Sequence, residues 1–496
     1  MDRTGRRILR VPGSALTAVV HLPTPLEMQA YARYSDSAQV GEYLRALAAA
    51  AGEPATVVSL GRSADGRDLP ALLCGFADAG RVAPGKLRLM LVGSIHGASE
   101  AAGCEALLGL ARDALLGDRR DWLDAFELVI VPNANPDGRD TDSWRNGNAA
   151  NINRDFVLLE QPESQALDAA LRRWAPAVVL DAHEQAVLKR KTLGAAGYLT
   201  AFEAQFDVAS LPAIPEPLRQ FATATLLPRL IADTQARGLP AQRYIGEIKS
   251  LAQPVTHGDL TARTFRNKAG LRGALAVLLE TPMEPKAGQY ATFRDIGRRV
   301  EKQRLCMEVF LDCVRDHAPA IAAAQALAAQ EPGDREFPLN ARYWRDPADA
   351  TLTLPLRERA NGMRIEATFA DHRAVAAHDL LRPTAGYYIT DHTERFAALL
   401  TRHGIAFERL RDSAELPVIS GVYTGGDDPD TACVLREERH HIHAIPAGAL
   451  RVAPSGRDRR LLPLLLDPRS ASSVFRYAAY ARLLVPGEAS FIARAA

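Results

Sequence analysis

The chain has 496 residues, more than the ~250–300 that a single hydrophobic core usually serves, so we expect two domains. Its 60 basic and 59 acidic residues leave a net charge of +1, and 47% of its residues are hydrophobic; this balance is typical of a globular protein and excludes the strongly basic field of a nucleic-acid-binding protein. No apolar run reaches the ~20 residues that a membrane-spanning helix needs, so we expect no membrane partner either.

The N-terminal part of the chain predicts a lead segment, a helix and a hairpin. Residues 1–23 carry four arginines before a weak apolar patch, but they lack the continuous apolar core and cleavage site of a secretory signal. Apolar residues recur at helical spacing within residues 28–52, and the turn sequence SADGR joins two predicted strands at residues 55–60 and 69–75. Strands and helices then alternate to residue 279, which predicts an α/β fold.

Four short apolar runs predict buried strands, at residues 87–93, 127–132, 177–180 and 274–279. His96, His183 and Glu280 each follow one of these runs, and Glu100 follows His96 by four positions. Reactive groups collect at the carboxyl ends of the strands in an open α/β sheet. Two imidazoles and one carboxylate form the ligand set with which zinc keeps one position open for water and substrate. Each residue alone is more often a polar group at a strand end, but the combination favours one zinc ion on His96, Glu100 and His183, with Glu280 as the base.

Six motifs around these residues stand in an order that resembles a known family. They are GRSADGR (61–67), HGASE (96–100), NPDG (135–138), NINR (151–154), DAHE (181–184) and LLET (278–281). Together they resemble the zinc metallocarboxypeptidases, the carboxypeptidase A-like enzymes, over residues 24–331. The resemblance implies a mixed, mostly parallel central sheet flanked by helices, and an enzyme that acts on the C-termini of peptides or proteins.

The sequence departs from the family pattern at two positions. Three residues separate His96 from Glu100, whereas the family's first ligand pair is His-x-x-Glu. Residues 100–116 fit the family's next helix without a gap, so we expect the extra residue in the loop before it, with Ser99 as the helix N-cap. Asn151 stands where the family has an aspartate that orients the first histidine. Its amide oxygen can still accept a hydrogen bond, so we expect a His96 that binds metal but is less polarised.

The resemblance also implies roles for three residues of the loop that follows NPDG. Arg145 resembles the family's arginine that polarises the scissile carbonyl and stabilises the oxyanion. Asn153 and Arg154 resemble the pair that binds the terminal carboxylate of a peptide, for which a planar guanidinium offers two parallel hydrogen bonds. For Arg145, an exposed and solvated side chain stays open as an alternative.

Two further residues are candidates for substrate contacts. Tyr244 is a candidate for the family's tyrosine that covers the bound C-terminus. Arg266 lies shortly before the base, in the segment that forms the side-chain pocket, and there it would favour an acidic terminal side chain. An Arg266 that is solvated or paired to Asp259 stays open as an alternative.

Residues 332–496 predict a smaller accessory domain of α+β type, after a lead segment 1–23 and a catalytic domain 24–331. Strand patterning restarts in TLTLPL and GMRIEATFA and is followed by a strand, a helix and a strand. In REERHHIH, His441 and His443 share one face of a strand; a solvated strand edge is favoured there over a second metal site. The five cysteines lack CxxC spacing and indicate no disulfide framework.

The sequence therefore predicts a zinc carboxypeptidase that uses water activated by the metal and by Glu280. A zinc deacylase acting on N-acyl amino acids would use the same ligands on the same general fold, although the chain length and the NPDG loop favour peptides. A third reading is a non-catalytic binding protein in which the extra residue and Asn151 have disabled the metal site. Bacterial relatives in this family are often exported, and the location of this protein stays open.

Overall fold

The main sheet has eight strands and is mixed. The computed structural model describes residues 22–78, 80–186, 192–283, 285–286, 289–290, 295–333, 335–345, 348, 350–424 and 433–496, so the predicted lead segment lies outside it except for residues 22 and 23. The first nine strands are β1 (Ala55–Arg62), β2 (Asp68–Cys74), β3 (Leu87–Gly93), β4 (Phe126–Val131), β5 (Val178–Gln185), β6 (Tyr198–Thr200), β7 (Ala204–Val208), β8 (Ala241–Arg243) and β9 (Leu275–Pro282). All but β6 join the main sheet, in the order β1-β2-β4-β3-β5-β9-β7-β8. The pairs β4–β3, β3–β5, β5–β9 and β7–β8 are parallel and the other three are antiparallel, which confirms the predicted α/β fold with a mixed, mostly parallel sheet.

The central strands form because their side chains are apolar on both faces. Every residue of β3 and β4 is buried, as expected for strands covered by helices on both sides of a sheet. The four predicted apolar runs coincide with β3, β4, β5 and β9. Both β5 and β9 extend past those runs, so His183 and Glu280 lie within the last residues of their strands rather than in the loops that follow.

Helices cover the sheet and fill the connections. They are α1 (Pro25–Met28), α2 (Ser37–Ala51), α3 (Ala102–Leu115), α4 (Asp121–Ala125), α5 (Pro136–Asp140), α6 (Pro162–Trp174), α7 (Glu216–Phe221), α8 (Leu227–Ala236), α9 (Phe265–Leu271), α10 (Ile296–Asp316), α11 (Ala318–Ala329), α12 (Thr393–His403), α13 (Leu461–Leu466) and α14 (Ala478–Ala481). A capping box of Asp36 and Gln39 begins α2. Among the described residues, none of these helices is both long enough and apolar enough to cross a bilayer.

The predicted N-cap of α3 is wrong. A 3₁₀ turn, Gly97–Glu100, runs directly into the helix, so Ser99 lies inside that turn and no side chain within the segment caps α3. The carboxylate of Glu184, at the end of β5, accepts a hydrogen bond from the backbone N–H of Ala102 at 2.9 Å. A negative charge at this position satisfies a free N–H and the helix dipole together, so a neighbouring strand supplies the cap.

Of the remaining strands, all but β10 and β11 lie in the C-terminal segment, residues 332–496. The remaining strands are β10 (Pro285–Lys286), β11 (Gln289–Tyr290), β12 (Phe337–Trp344), β13 (Thr351–Glu358), β14 (Arg364–Ala370), β15 (Ala374–Leu381), β16 (Tyr387–Ile389), β17 (Glu408–Arg409), β18 (Ala414–Thr424), β19 (Val434–Ile445), β20 (Leu450–Val452) and β21 (Ala489–Ala495). They form the sheets β10-β11, β12-β15, β14-β13-β6 and β17-β20-β16-β21-β18-β19. The predicted strands TLTLPL and GMRIEATFA lie on β13 and β14, and the predicted strand, helix and strand that follow correspond to β16, α12 and β17. His441 and His443 lie on β19, the last strand of its sheet, with ring centroids 5.4 Å apart.

The two parts of the chain share one apolar core. The largest buried cluster joins strand residues of the main sheet to Phe396 and Leu400 of α12 and to Leu462 and Phe475 beyond it. The short strand β6 does not join the main sheet but pairs with β13 of the C-terminal segment. The division of the chain at residue 331 stays a prediction, and the packing across it is continuous.

Candidate metal centre and substrate cavity

A cavity of about 1070 Å³ is lined by residues from the carboxyl ends of β3, β5 and β9. The candidate residues that line it are His96, Glu100, Asn151, Asn153, Arg154, His183, Tyr244, Arg266 and Glu280. Tyr343, on β12 of the C-terminal segment, also lines it. Nine of the ten candidate residues predicted from the sequence therefore face one space, and Arg145 is the exception.

The three predicted zinc ligands converge in this cavity. One ligand atom from each of His96, Glu100 and His183 lies within 4.8 Å of the other two. The distance from His183 Nδ1 to Glu100 Oε2 is 2.7 Å, and that from His96 Nδ1 to Glu100 Oε1 is 3.5 Å. The extra residue between His96 and Glu100 therefore does not keep their side chains apart.

The extra residue is accommodated in the 3₁₀ turn. Gly97 has a φ of +54°, and a Cβ atom there would lie 2.5 Å from the carbonyl oxygen of Ser143 and 2.6 Å from the carbonyl carbon of Gly138. Only glycine fits both this left-handed conformation and this close backbone approach. The turn thereby packs directly on α5 and brings Glu100 back towards His96.

The charges around these residues suit a bound cation. Burial lowers the pKa of His96 to about 4, so its imidazole is neutral at pH 7, as a metal ligand must be. Burial alone would also lower the pKa of His183, but the carboxylates of Asp181 and Glu100 outweigh it and raise that pKa well above its usual value. These carboxylates favour a positive charge beside them, and a bound divalent ion would also supply that charge. Two imidazoles and a carboxylate in a buried, negatively charged setting fit zinc.

Three residues that support His183 were not assigned from the sequence. Asp181 Oδ1 lies 2.9 Å from His183 Nε2, and Gln303 of α10 donates a hydrogen bond to the backbone oxygen of His183 at 2.6 Å. Arg299, also on α10, forms an ion pair with Glu184 at 2.7 Å. Partners of this kind fix the orientation of a ligand. Asp181 could have been assigned from the sequence, because it lies two positions before His183 on the same strand and residues two apart on a strand share a face.

Glu280 lies beside His183 on the neighbouring strand. The two residues are directly paired in the parallel register of β5 and β9, so their side chains leave the same face of the sheet. Tyr244 lies nearby, since burial and the carboxylate of Glu280 both raise the pKa of the Tyr244 hydroxyl above its usual range. Glu280 and His183 therefore line the cavity from adjacent strands.

Asn153 and Arg154 lie in a 3₁₀ turn, Ile152–Arg154, next to the ligand cluster. Asn153 Nδ2 is 3.3 Å from His183 Nε2, and its Oδ1 accepts a hydrogen bond from the N–H of Phe265 at 2.8 Å. Asn151 Oδ1 accepts from the N–H of Asn153 at 2.9 Å and so caps the turn. Among the described residues no hydrogen bond joins Asn151 to His96, and its orienting role stays a prediction.

Arg145 is not brought into the cavity. Its side chain is exposed, its guanidinium lies 4.3 Å from the ring centroid of Trp144, and its Nη1 donates to the backbone oxygen of Ala149. Trp144 in turn stacks near His96, with ring centroids 6.4 Å apart, and lines the cavity. The oxyanion role of Arg145 stays a prediction from the sequence.

Arg266 is buried at one end of the cavity, with 3% of its surface exposed. Its Nη1 lies 3.3 Å from Asp207 Oδ2, and the same carboxylate meets Nδ1 of His257 at 2.9 Å and Nε of Arg243 at 3.4 Å. Arg266 therefore pairs with Asp207 rather than with Asp259, the partner considered from the sequence. Asp207 is therefore shared by two arginines and a histidine.

Two histidines and a glutamate that converge at the carboxyl ends of a mixed sheet, with a second glutamate on the next strand, are an arrangement typical of metal-dependent hydrolases. Residues 40–173 match the sequence model of the family described as zinc carboxypeptidase. This match supports the resemblance to metallocarboxypeptidases that the sequence motifs indicate.

Individual relatives are similar over part of the chain. Carboxypeptidase 2 of Trichophyton tonsurans is 28% identical over 234 residues, which are 44% of this chain and 42% of that protein. Carboxypeptidase D of Mus musculus is 35% identical over 125 residues, 21% of this chain and 9% of that protein. The crystal structure of carboxypeptidase A from Helicoverpa armigera aligns with 18% identity and a TM-score of 0.43, over 61% of this chain and 76% of that chain. The chain thus spans less than half the length of these two sequence relatives.

Proposed function

We propose that this protein is a zinc-dependent carboxypeptidase that hydrolyses the C-terminal bond of peptides or proteins. The observation that carries the proposal is the convergence of His96, Glu100 and His183 beside Glu280 in one cavity. The match of residues 40–173 to the zinc carboxypeptidase family model supports it. The donor set and the excess of carboxylates fit one zinc ion, for which His96, Glu100 and His183 would be the protein ligands.

The chain's own residues account for proton transfer. When bound, zinc would supply a Lewis acid that polarises the scissile carbonyl and lowers the pKa of water towards ~7. Glu280 then accepts the proton of the attacking water and returns it to the leaving amine. Asp181 and Gln303 hold His183 in one orientation throughout.

Asn153 and Arg154 make the enzyme an exopeptidase in this proposal. Arg154 lines the cavity and donates through Nη1 to the backbone oxygen of Asn153, which leaves further N–H groups of the guanidinium for a carboxylate. A bond within a peptide chain offers these groups no carboxylate, so it is not aligned with Glu280. Tyr244 covers the bound residue from the side of Glu280.

Arg266 selects the terminal side chain. It is buried, and it shares Asp207 with Arg243, so the end of the cavity favours a negative group. Peptides that end in Asp or Glu are therefore the proposed substrates. Replacing Arg266 with Met should lower kcat/KM for a C-terminal Glu substrate about 10-fold relative to a C-terminal Leu substrate.

Zinc content and substrate class together test the proposal. The full chain is purified, its metal content is measured, and hydrolysis of a peptide series is compared with hydrolysis of N-acyl amino acids. We expect one zinc per chain and cleavage of single C-terminal residues. His183→Ala should lose zinc and activity, whereas the matched control His441→Ala, at a partly exposed histidine on β19, should keep both.

The alternatives are separate outcomes of the same experiment. Faster hydrolysis of N-acyl amino acids than of peptides would make the protein a deacylase. No bound zinc, with no activity restored by added zinc, would leave a non-catalytic binding protein and contradict the proposal.

A further inference from the structure

The turn that follows Arg154 has three consecutive backbone oxygens tied to side chains from other elements. Phe156 O accepts a hydrogen bond from Lys268 Nζ at 3.2 Å. Val157 O accepts from His403 Nε2 at 2.9 Å, and Leu158 O accepts from Arg402 Nε at 3.0 Å. We call residues 155–159 the carboxylate turn, since they continue directly from Asn153 and Arg154.

Two of these three donors come from α12 in the C-terminal segment. Arg402 and His403 are the last two residues of that helix, and they lie more than 240 positions from the oxygens they contact. His403 Nδ1 lies 2.8 Å from Lys268 Nζ. With Nε2 donating to Val157 and Nδ1 accepting from the lysine, both ring nitrogens of His403 are satisfied, although the residue is fully buried.

The end of α12 is fixed so that this pair meets the carboxylate turn. Gly404 has a φ of +65° and donates to Leu400 O and Thr401 O, and Ile405 N–H also donates to Leu400 O at 2.9 Å. This is the glycine-dependent closure of a helix C-terminus. Arg272, the residue directly after α9, donates to the backbone oxygen of His403 at 2.7 Å. The helix end is therefore held from both sides.

We propose that Arg402 and His403 are positioning residues that hold the carboxylate turn, and through it Asn153 and Arg154, in place to bind the substrate's terminal carboxylate. The proposal rests on the carboxypeptidase function proposed above. It assigns the C-terminal segment a part in substrate binding, because a binding group must be held within about 0.5 Å of its productive position by its surroundings.

The turn also has contacts of its own, from the Asp155 carboxylate to Ser164 Oγ and from the Phe156 N–H to Arg263 O at 3.3 Å, and Arg402 and His403 add to these along its carbonyl edge. Asn153 is anchored to Phe265, the first residue of α9, and Lys268 lies one helical turn further along the same helix. The turn is thus attached to α9 at its start and to α9 and α12 along its carbonyl edge. Without Arg402 and His403, two of the three carbonyl attachments are lost and only Lys268 remains.

The test compares substrates that differ only in the terminal carboxylate. KM and kcat are measured for an N-acylated dipeptide and for the same dipeptide as its C-terminal amide, with wild type, Arg402→Ala, His403→Ala and His403→Gln. Arg395→Ala is the matched control, because Arg395 lies on the same helix and donates to a backbone oxygen, Ala479 O, outside the turn.

We expect Arg402→Ala and His403→Ala to raise KM for the free acid at least five-fold with a smaller change in kcat, and so to reduce the preference for acid over amide. His403→Gln keeps a donor near Nε2 and should retain most of that preference. Arg395→Ala should match wild type. Hydrogen exchange of residues 155–159 should accelerate about 10-fold in Arg402→Ala and not in Arg395→Ala.

Two results would overturn the inference in distinguishable ways. If wild type prefers the acid and a folded Arg402→Ala or His403→Ala variant keeps that preference unchanged together with wild-type exchange in the turn, the positioning role is refuted while the carboxypeptidase stands. If wild type hydrolyses acid and amide equally, the proposed function itself fails, and the positioning role fails with it. Arg402 is partly exposed, so its variant serves if His403→Ala does not fold.

Discussion

At Glu280, a substitution that changes only the carboxylate to an amide gives the clearest test of the proposed base. We expect Glu280→Gln to lower kcat by about 10²–10⁴, because the amide cannot accept the water's proton, and to leave the zinc content at one per chain. Activity against a peptide with a free C-terminus and metal analysis of the same sample make the measurement. Glu216→Gln, on the exposed surface of α7, is the control. A Glu280→Gln enzyme that keeps more than a tenth of its activity would exclude Glu280 as the base.

Among individual residues, strand patterns were the most informative part of the sequence. His96, His183 and Glu280 follow apolar runs that become β3, β5 and β9, and a strand end fixes both where a side chain starts and which face it leaves. Arg145 follows no such element, since it lies in a polar loop whose course depends on contacts with Trp144 and Ala149. Loop geometry of that kind is not encoded in residue spacing.

The 3₁₀ turn Gly97–Glu100 is the element on which the ligand cluster depends most directly. We expect Gly97→Ala to destabilise the protein by at least about 2 kcal/mol, because the left-handed φ and the contact with backbone atoms of Ser143 and Gly138 both oppose a Cβ. Displacement of the turn should also weaken zinc binding at least about 10-fold, as expected when a ligand loses its support. Urea unfolding and zinc titration against a chelator are the measurements.

Gly52→Ala is the control for this prediction. Gly52 also has a positive φ, of +74°, but nothing lies within 4 Å of a Cβ placed there. It should show the cost of the backbone conformation alone, about 1 kcal/mol, with unchanged zinc affinity. Equal effects of the two variants on zinc binding would show that the close packing of the turn on α5 has no part in forming the site.

At the level of elements, local patterns predicted the existence of strands and helices better than their partners. The runs at 87–93 and 274–279 identified β3 and β9, and helical spacing identified α2. The predicted N-cap of α3 was wrong because the group that caps it, Glu184, comes from a strand. The pairing of β6 with β13 joins residues about 160 positions apart. No local signal specifies such a contact, since it is selected by packing.

In the whole molecule, the shared core means that neither part should fold alone. We expect a truncated chain ending at residue 331 to lack a cooperative thermal transition and to bind a hydrophobic dye, because the apolar surface that meets Phe396, Leu400 and Phe475 would be exposed. Calorimetry and dye fluorescence, with the full chain as reference, make the comparison. A truncated chain with a sharp transition and native near-ultraviolet circular dichroism would contradict this expectation and support separate domains.

A second whole-molecule prediction concerns acid stability. Burial alone would raise the pKa of Asp168, but Lys268 and Arg272 outweigh it and lower that pKa from 3.8 to about 2. A carboxyl whose folded pKa is depressed stabilises the protein above its unfolded pKa, and the contribution disappears as the pH falls from about 4 to about 2. This contribution is on the order of 2 kcal/mol for the shift cited.

Asp168→Asn tests this linkage. The variant should be less stable than wild type at pH 7, since it leaves Lys268 and Arg272 without a buried counter-charge, and the gap in unfolding free energy should narrow between pH 4 and pH 2. Urea unfolding of wild type and variant at a series of pH values gives the difference in unfolding free energy at pH 7 and its change between pH 4 and pH 2. A gap that stays constant over this interval would mean that Asp168 is not ionised in the folded protein.

The contacts between α12 and the carboxylate turn also determine the order in which the protein can be completed. The two hydrogen bonds there join residues that are separated by 244 and 246 positions in the sequence. Contacts between such distant residues form late in folding, because a long loop must close before they stabilise the protein. Recovery of peptide hydrolysis after refolding should accordingly lag behind recovery of secondary structure, because the contacts that position Asn153 and Arg154 are among the last to form.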